Sequence, residues 1–373
     1  MHDRERAGRH VLRDAARLLD VLGRVADGQL HTVIPPKSPG RGRVQLPHVI
    51  QPDPVACCLV RRNAEESFGR FVPLRSACHS IDEADAMDTP QLAQIEVAGC
   101  ALAVRTAGAR TNPALLLIHG FPSSSLSFRN VIDALARDCF VIAPDMPGSG
   151  DSAPIENPSF ARFADLTEEL LARLGVDAFH LYLHDHGAAV GLHLATRAPE
   201  RIRSLVVQNA NAHESGMGPS WTATRNYWDD PTPERESAAT AHLTFAGTRD
   251  QYVGGLPPDI AARIDAQRWE QDWQNLLRPG RLDTQRALLL DYRSHVARFA
   301  EIAAYLERWQ PPALLLWGRH DIFFDLAETL SWMNALPRME AHILDGPHFL
   351  LETHAAECAA LMRAFFTKGG GSR

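Results

Sequence analysis

Residues 179–191 constrain the chain most. They read Phe-His-Leu-Tyr-Leu-His-Asp-His-Gly-Ala-Ala-Val-Gly. An apolar, strand-like run stops at His184, Asp185, His186 and Gly187, and a helical pattern of Ala188, Gly191, Leu192 and Ala195 begins at once. A strand that feeds a helix with no loop between them must turn sharply. A carboxylate at the apex of that turn is lifted beyond the strand end and backed by the amides of a helix N-terminus. Asp185 is therefore a candidate nucleophile; on these residues alone it is equally well a helix N-cap.

The same alternation extends along the chain. Strands are expected at 114–118, 140–143, 180–183, 202–207, 313–317 and 341–344, and helices at 126–136, 160–174, 300–309, 326–335 and 350–366. A hairpin turning at Gly99, with strands drawn from 95–104, precedes them. This order predicts an α/β fold with a mostly parallel central sheet and helices on both faces. The alternation lapses between 209 and 290, where aromatic residues and prolines predict a mostly helical insertion. The core is thus expected at 87–208 and 291–367, the helical cap at 209–290 and a flexible tail at 368–373. Residues 1–86, with one amphipathic helical pattern and the Pro/Gly/basic stretch 34–43, read as a largely disordered or accessory extension, or as a misassigned start.

Composition narrows the function. At 373 residues with 22% charged residues and a formal net charge of -7, the chain lacks the basic footprint of a nucleic-acid binder. The six cysteines show neither metal-ligand nor disulfide-framework spacing, which suits a reducing compartment. No apolar run is long enough to span a bilayer and no signal-like segment follows Met1, so a cytoplasmic location is expected, with no membrane partner. His184 and His186 flank an acid, but on a strand-turn they diverge and no further ligand cluster completes a metal site. The expected partners are a small-molecule substrate and water, with no cofactor and no metal; oligomeric state is not readable.

In an open parallel sheet, ligands sit beyond the carboxyl ends of the strands. Asp185 follows one strand, Asp321 a later one, and His348 the last. That order, nucleophile, acid, histidine, is the one in which α/β-hydrolase triads follow along a chain, with Asp in place of Ser. Ser149 lacks the Gly-x-Ser-x-Gly setting, Ser123, Ser124 and Ser125 are expected to cap the next helix, and Asp345 is a lesser rival for the acid because it lies on the histidine's own loop. His320 and His354 are expected at the surface or behind the site.

Five segments carry a resemblance. They are His119-Gly120-Phe121-Pro122, the loop 145–152, His184-Asp185-His186-Gly187, Trp317-Gly318-Arg319-His320-Asp321 and Gly346-Pro347-His348-Phe349. With them, residues 95–366 resemble the α/β-hydrolase fold, and within it the epoxide hydrolase and haloalkane dehalogenase branch with an aspartate nucleophile. The resemblance implies Asp185, Asp321 and His348 as the triad, the amides of Phe121 and His186 as the oxyanion hole, and a helical cap over the site. Asp185 would displace a leaving group from carbon to form an alkyl ester, which water activated by His348 would hydrolyse.

The leaving group is the open question at this level. Epoxide opening in this family uses cap tyrosines as acids, and Tyr227 and Tyr252 are the only tyrosines within 209–290. Dehalogenases commonly place Trp directly after the nucleophile, and fluoroacetate dehalogenases Arg; here the residue is His186. Leu183 is larger than the small residue usual two positions before the nucleophile. An epoxide hydrolase-like enzyme acting on a mostly apolar substrate is the expectation. Dehalogenase chemistry is the alternative, and a non-catalytic ligand-binding member of the fold a second one.

Overall fold

In a computed structural model, residues 90–369 are described. The expectations for the extension and for the end of the tail fall outside them. Strands β1 (Gln91–Val97) and β2 (Cys100–Ala107) form the hairpin, turning at Ala98 and Gly99, both at positive φ. Then follow β3 (Ala114–Ile118), β4 (Phe140–Pro144), β5 (Phe179–His184), β6 (Ile202–Gln208), β7 (Ala313–Gly318) and β8 (Glu340–Leu344). They make one eight-stranded sheet in the order β1-β2-β4-β3-β5-β6-β7-β8. The two pairings made by β2 are antiparallel and the other five are parallel.

β3, β4 and β7 are buried along their whole length, as expected for strands covered on both faces. Phe163, Leu170, Leu192 and Ile302 belong to one apolar cluster, and Phe128, Ile132, Met362 and Phe366 to another. From β3 the chain passes to β4 on one side and then to β5 on the other. The crevice beyond the ends of β3 and β5 is thus the topological switch point where α/β sheets bind ligands.

The helices used below are α1 (Phe160–Arg173), α2 (His186–Arg197), α3 (Thr222–Asp229), α4 (Pro233–Ala239), α5 (Phe245–Val253), α6 (Gln267–Leu276), α7 (Arg281–Ala297), α8 (Phe299–Trp309), α9 (Ala327–Ala335) and α10 (Ala355–Gly369). Three expectations are corrected. The single helix at 126–136 is a 3-10 turn, Ser125–Phe128, and one α turn, Ile132–Leu135. Val131 leaves the helical region at φ -121, and Arg129 is drawn into an ion pair with Glu352. The last helix begins only at Ala355, after a separate 3-10 turn, Leu350–Glu352, where the β-branched Thr353 sits at φ -117 and directs its hydroxyl to Leu350 O. It continues to Gly369, and Lys368, read as tail, meets Glu340 at 3.1 Å. α7 also runs through the expected boundary at 290, burying Leu288, Leu289, Tyr292 and His295 at helical spacing.

Candidate active site

The turn after β5 is built by close approach. Asp185 sits at φ 50 and ψ -127, a conformation that costs a non-glycine residue about 1–3 kcal/mol and is tolerated where its surroundings enforce it. Gly187 lets α2 pass against β3, since a Cβ there would stand 2.3 Å from Ile118 O. Gly187→Ala is accordingly expected to lower stability by about 1–3 kcal/mol in urea denaturation. The bulk of Leu183 finds its room at Gly191, where a Cβ would meet Leu183 Cδ2 at 2.2 Å. The small residue usual before the apex has in effect moved to the first turns of the helix.

Asp185 Oδ1 accepts the amide of Phe121 at 2.8 Å and that of His186 at 2.6 Å. The other oxygen, Oδ2, lies 3.7 Å from His348 Nε2, which has no hydrogen-bond partner among the described residues. His348 Nδ1 is 2.7 Å from Asp321 Oδ2, an arrangement that leaves the lone pair on Nε2. Asp321 Oδ1 accepts the amides of Phe323 and Phe324. The structure thus brings together Asp185, Asp321, His348 and the two amides. Asp345 instead pairs with Arg319 and His320 at the surface. Ser124 caps the following turn through Leu126 N, and the Ser125 amide donates to Asp145 Oδ1. Ser149 lies on a turn, its amide donating to Met146 O. Among the described residues, no group of three or more His, Cys, Asp or Glu side chains forms a metal site.

Burial opposes ionisation of Asp185, but the imidazoles of His186 and His348 and the His186 amide outweigh it and hold its pKa below the usual carboxylate range. His348 goes the other way: burial disfavours its charge, yet Asp321 and Asp185 raise its pKa above the ordinary value. His184, tilted against the His348 ring at 4.7 Å, is pushed down to about 3 by burial and by His348, and so stays neutral.

A cavity of about 150 Å³ opens onto Asp185. Phe121, His186, Trp221, Leu289, Phe323 and Phe324 give it apolar and aromatic walls, and Thr224, His242 and Gln251 add polar groups. Neither Tyr227 nor Tyr252 lines it. Tyr227 packs into the main apolar cluster, and Tyr252 donates its hydroxyl to Asp272 at 2.5 Å. Sequence reasoning passed over His242 and Gln251, which carry no local motif. It also passed over Asn209, the first residue after β6, whose amide nitrogen donates to Asp321 Oδ2 at 2.8 Å and whose backbone carbonyl accepts from Asp185 N. Asn209 was within reach of the rule that searches strand ends.

The comparisons agree with this architecture. A family model for the alpha/beta hydrolase fold matches residues 113–355. An uncharacterized hydrolase of Saccharomyces cerevisiae is 33% identical over 271 residues, covering 71% of this chain and 92% of the relative. A haloalkane dehalogenase of Mycobacterium marinum is 27% identical over 311 residues, 80% of this chain and 97% of its own. The solved structure of the epoxide hydrolase CorEH superposes with a TM-score of 0.61 at 22% identity, covering 75% of this chain and 99% of that one. By the match of the family model and by the yeast relative, the chain belongs to the alpha/beta hydrolase fold family, as a hydrolase with epoxide hydrolases and dehalogenases among its relatives and structural neighbours.

Proposed function

We propose that the chain is an epoxide hydrolase-like enzyme that works through an alkyl ester on Asp185. The observation that carries this reading is the division of labour between the two Asp185 oxygens. Oδ1 is held by two amides, while Oδ2 faces His348. Asp185 Oδ2 attacks an epoxide carbon, the carbon–oxygen bond of the ring breaks, and the departing oxygen takes a proton delivered from solvent. His348 Nε2 then removes a proton from water, whose oxygen bonds to the Asp185 carboxyl carbon. The resulting oxyanion rests on Oδ1 between the Phe121 and His186 amides. Collapse breaks the bond between the carboxyl carbon and Oδ2, the imidazolium of His348 returns its proton to the departing alcohol oxygen to give the diol, and the carboxyl group loses its proton to solvent to restore the carboxylate.

The helical segment 209–290 serves as the cap in this reading, and His242 is its donor to the opening ring. Burial and the neighbouring His186 push its pKa down to about 4, so at neutral pH it is an uncharged imidazole, whose one N–H, directed to the Ala239 carbonyl in the free protein, turns to the ring oxygen when the epoxide is bound. His242→Phe is expected to slow alkylation by styrene oxide roughly 10²-fold, in the range found for losing one positioned donor, with alkyl-ester hydrolysis little changed. Equal slowing of both steps would contradict this role.

A halide would find less support. The indole N–H of Trp221, on the cavity wall, is committed to Phe323 O at 2.9 Å. The dehalogenase reading stands second because His242 and the Gln251 amide also suit a leaving anion. Panels of epoxides and haloalkanes, with diol formation and halide release followed separately, decide between them. Halide release without diol formation from any epoxide would overturn the first reading.

A further inference from the structure

The segment between β6 and β7 carries a buried carboxyl group that this reaction does not use. Asp272, on α6, is 4% exposed and makes no salt bridge among the described residues. It accepts the Tyr252 hydroxyl at 2.5 Å, within the range of charge-assisted O–H···O⁻ bonds, and the Ser123 hydroxyl reaches the same carboxyl. Each partner leads to a different part of the site. Ser123 lies two residues after Phe121, whose amide holds Asp185. The Tyr252 ring stacks on Phe349, with centroids 4.3 Å and planes 9° apart, and Phe349 packs edge-on against the rings of His184 and His348.

We propose that Asp272 is a positioning residue: its ionised carboxylate, through Ser123 and Tyr252, fixes the oxyanion loop and the histidine loop against the helical segment. The proposal rests on the reading that Asp185 and His348 perform the chemistry. An ionised carboxylate accepts both hydroxyl protons, whereas a protonated one carries an O–H of its own and turns one of the two donors away. The charged and titratable groups that face Asp272 are Tyr252 on α5, Arg129 beyond the oxyanion loop and Glu352 beyond the histidine loop. Arg129 and Glu352 are paired with each other. Burial pushes the Asp272 carboxyl up to about 7 against the pull of the Tyr252 and Ser123 hydrogen bonds. Burial and Asp272 hold Tyr252 far above its ordinary range, so it remains a donor. The contact between cap and core therefore changes protonation state near neutrality.

The test is the pH dependence of alkyl-enzyme breakdown in single turnovers of styrene oxide. The wild-type acid limb is expected to carry two ionisations, those of His348 and Asp272. Asp272→Asn is expected to keep only the His348 ionisation and to be slower on the alkaline plateau by roughly tenfold, the scale of a modest misplacement of reacting groups. Tyr252→Phe, which keeps the stacked ring and loses the O–H, is expected to be slowed in the same direction. A substrate-free measurement accompanies it: the imidazole NMR resonances of His348 should register a second titration near 7 in the wild type and lose it in Asp272→Asn. Single-proton limbs and identical His348 titrations in both proteins would overturn the proposal. Should the wild type form no alkyl-enzyme, the reaction reading fails by itself, and the NMR titration alone decides for or against the coupling.

Discussion

Asp185→Ala is expected to abolish turnover, lowering kcat/KM by roughly 10⁴-fold or more, the scale of losing a nucleophile that acts in concert with its base. The variant should fold, because the apex is fixed by the approach of α2 to β3 at Gly187 rather than by the carboxylate itself. Removing the side chain also removes a buried charge, while the Phe121 and His186 amides, which lose their acceptor, are left facing the cavity. Retention of the wild-type melting temperature with loss of covalent labelling by an epoxide would separate chemistry from structure. Activity within tenfold of wild type would move the nucleophile elsewhere.

The second large effect falls on the other half of the reaction. His348→Gln is expected to leave attack on the substrate nearly untouched and to slow ester breakdown roughly 10³-fold, within the range for a positioned general base. The ester should then accumulate and appear by mass spectrometry as protein plus one whole epoxide. In the wild type, His348 must be neutral to accept the proton of water. Asp321 and Asp185 raise its pKa in the free enzyme; in the alkyl-enzyme Asp185 is an uncharged ester and Asp321 alone opposes the effect of burial, so ester hydrolysis is expected to fall as pH drops through the His348 ionisation. No adduct in His348→Gln, with multiple-turnover kinetics reduced in the first step instead, would contradict this assignment.

Much of this was legible in the residues because the fold's chemistry sits where its pattern is strongest. The buried runs of β3, β5 and β7 announce their own ends, and His119-Gly120-Phe121, Asp185 and Asp321 stand at those ends. The cap resisted for a physical reason. Its helices are short and joined by Pro and Gly turns, so which face of each meets the cavity is set by docking on the core rather than by local pattern. Tyr252 illustrates this: the resemblance makes it a candidate cavity acid, yet stacking on Phe349 and the bond to Asp272 turn it aside, while the adjacent Gln251 faces the cavity.

Tyr292 was hidden by the expected boundary at 290. α7 carries it to within 5.7 Å of the His186 ring and stacks it on Trp221 at 4.6 Å, and its hydroxyl makes no hydrogen bond among the described residues. The large Leu183 and the small Gly191 were likewise readable singly, but their exchange of roles became visible only once strand and helix were packed together.

The most direct measurement is a single turnover of an epoxide in heavy-oxygen water. The proposed route delivers the solvent oxygen to the carboxyl group of Asp185 and leaves the diol unlabelled, because its two oxygens come from the epoxide and from the original carboxylate. A peptide containing Asp185 that gains the label is the predicted result. An unlabelled Asp185 with the label in the diol would mean that water attacks the substrate directly, and would contradict the account.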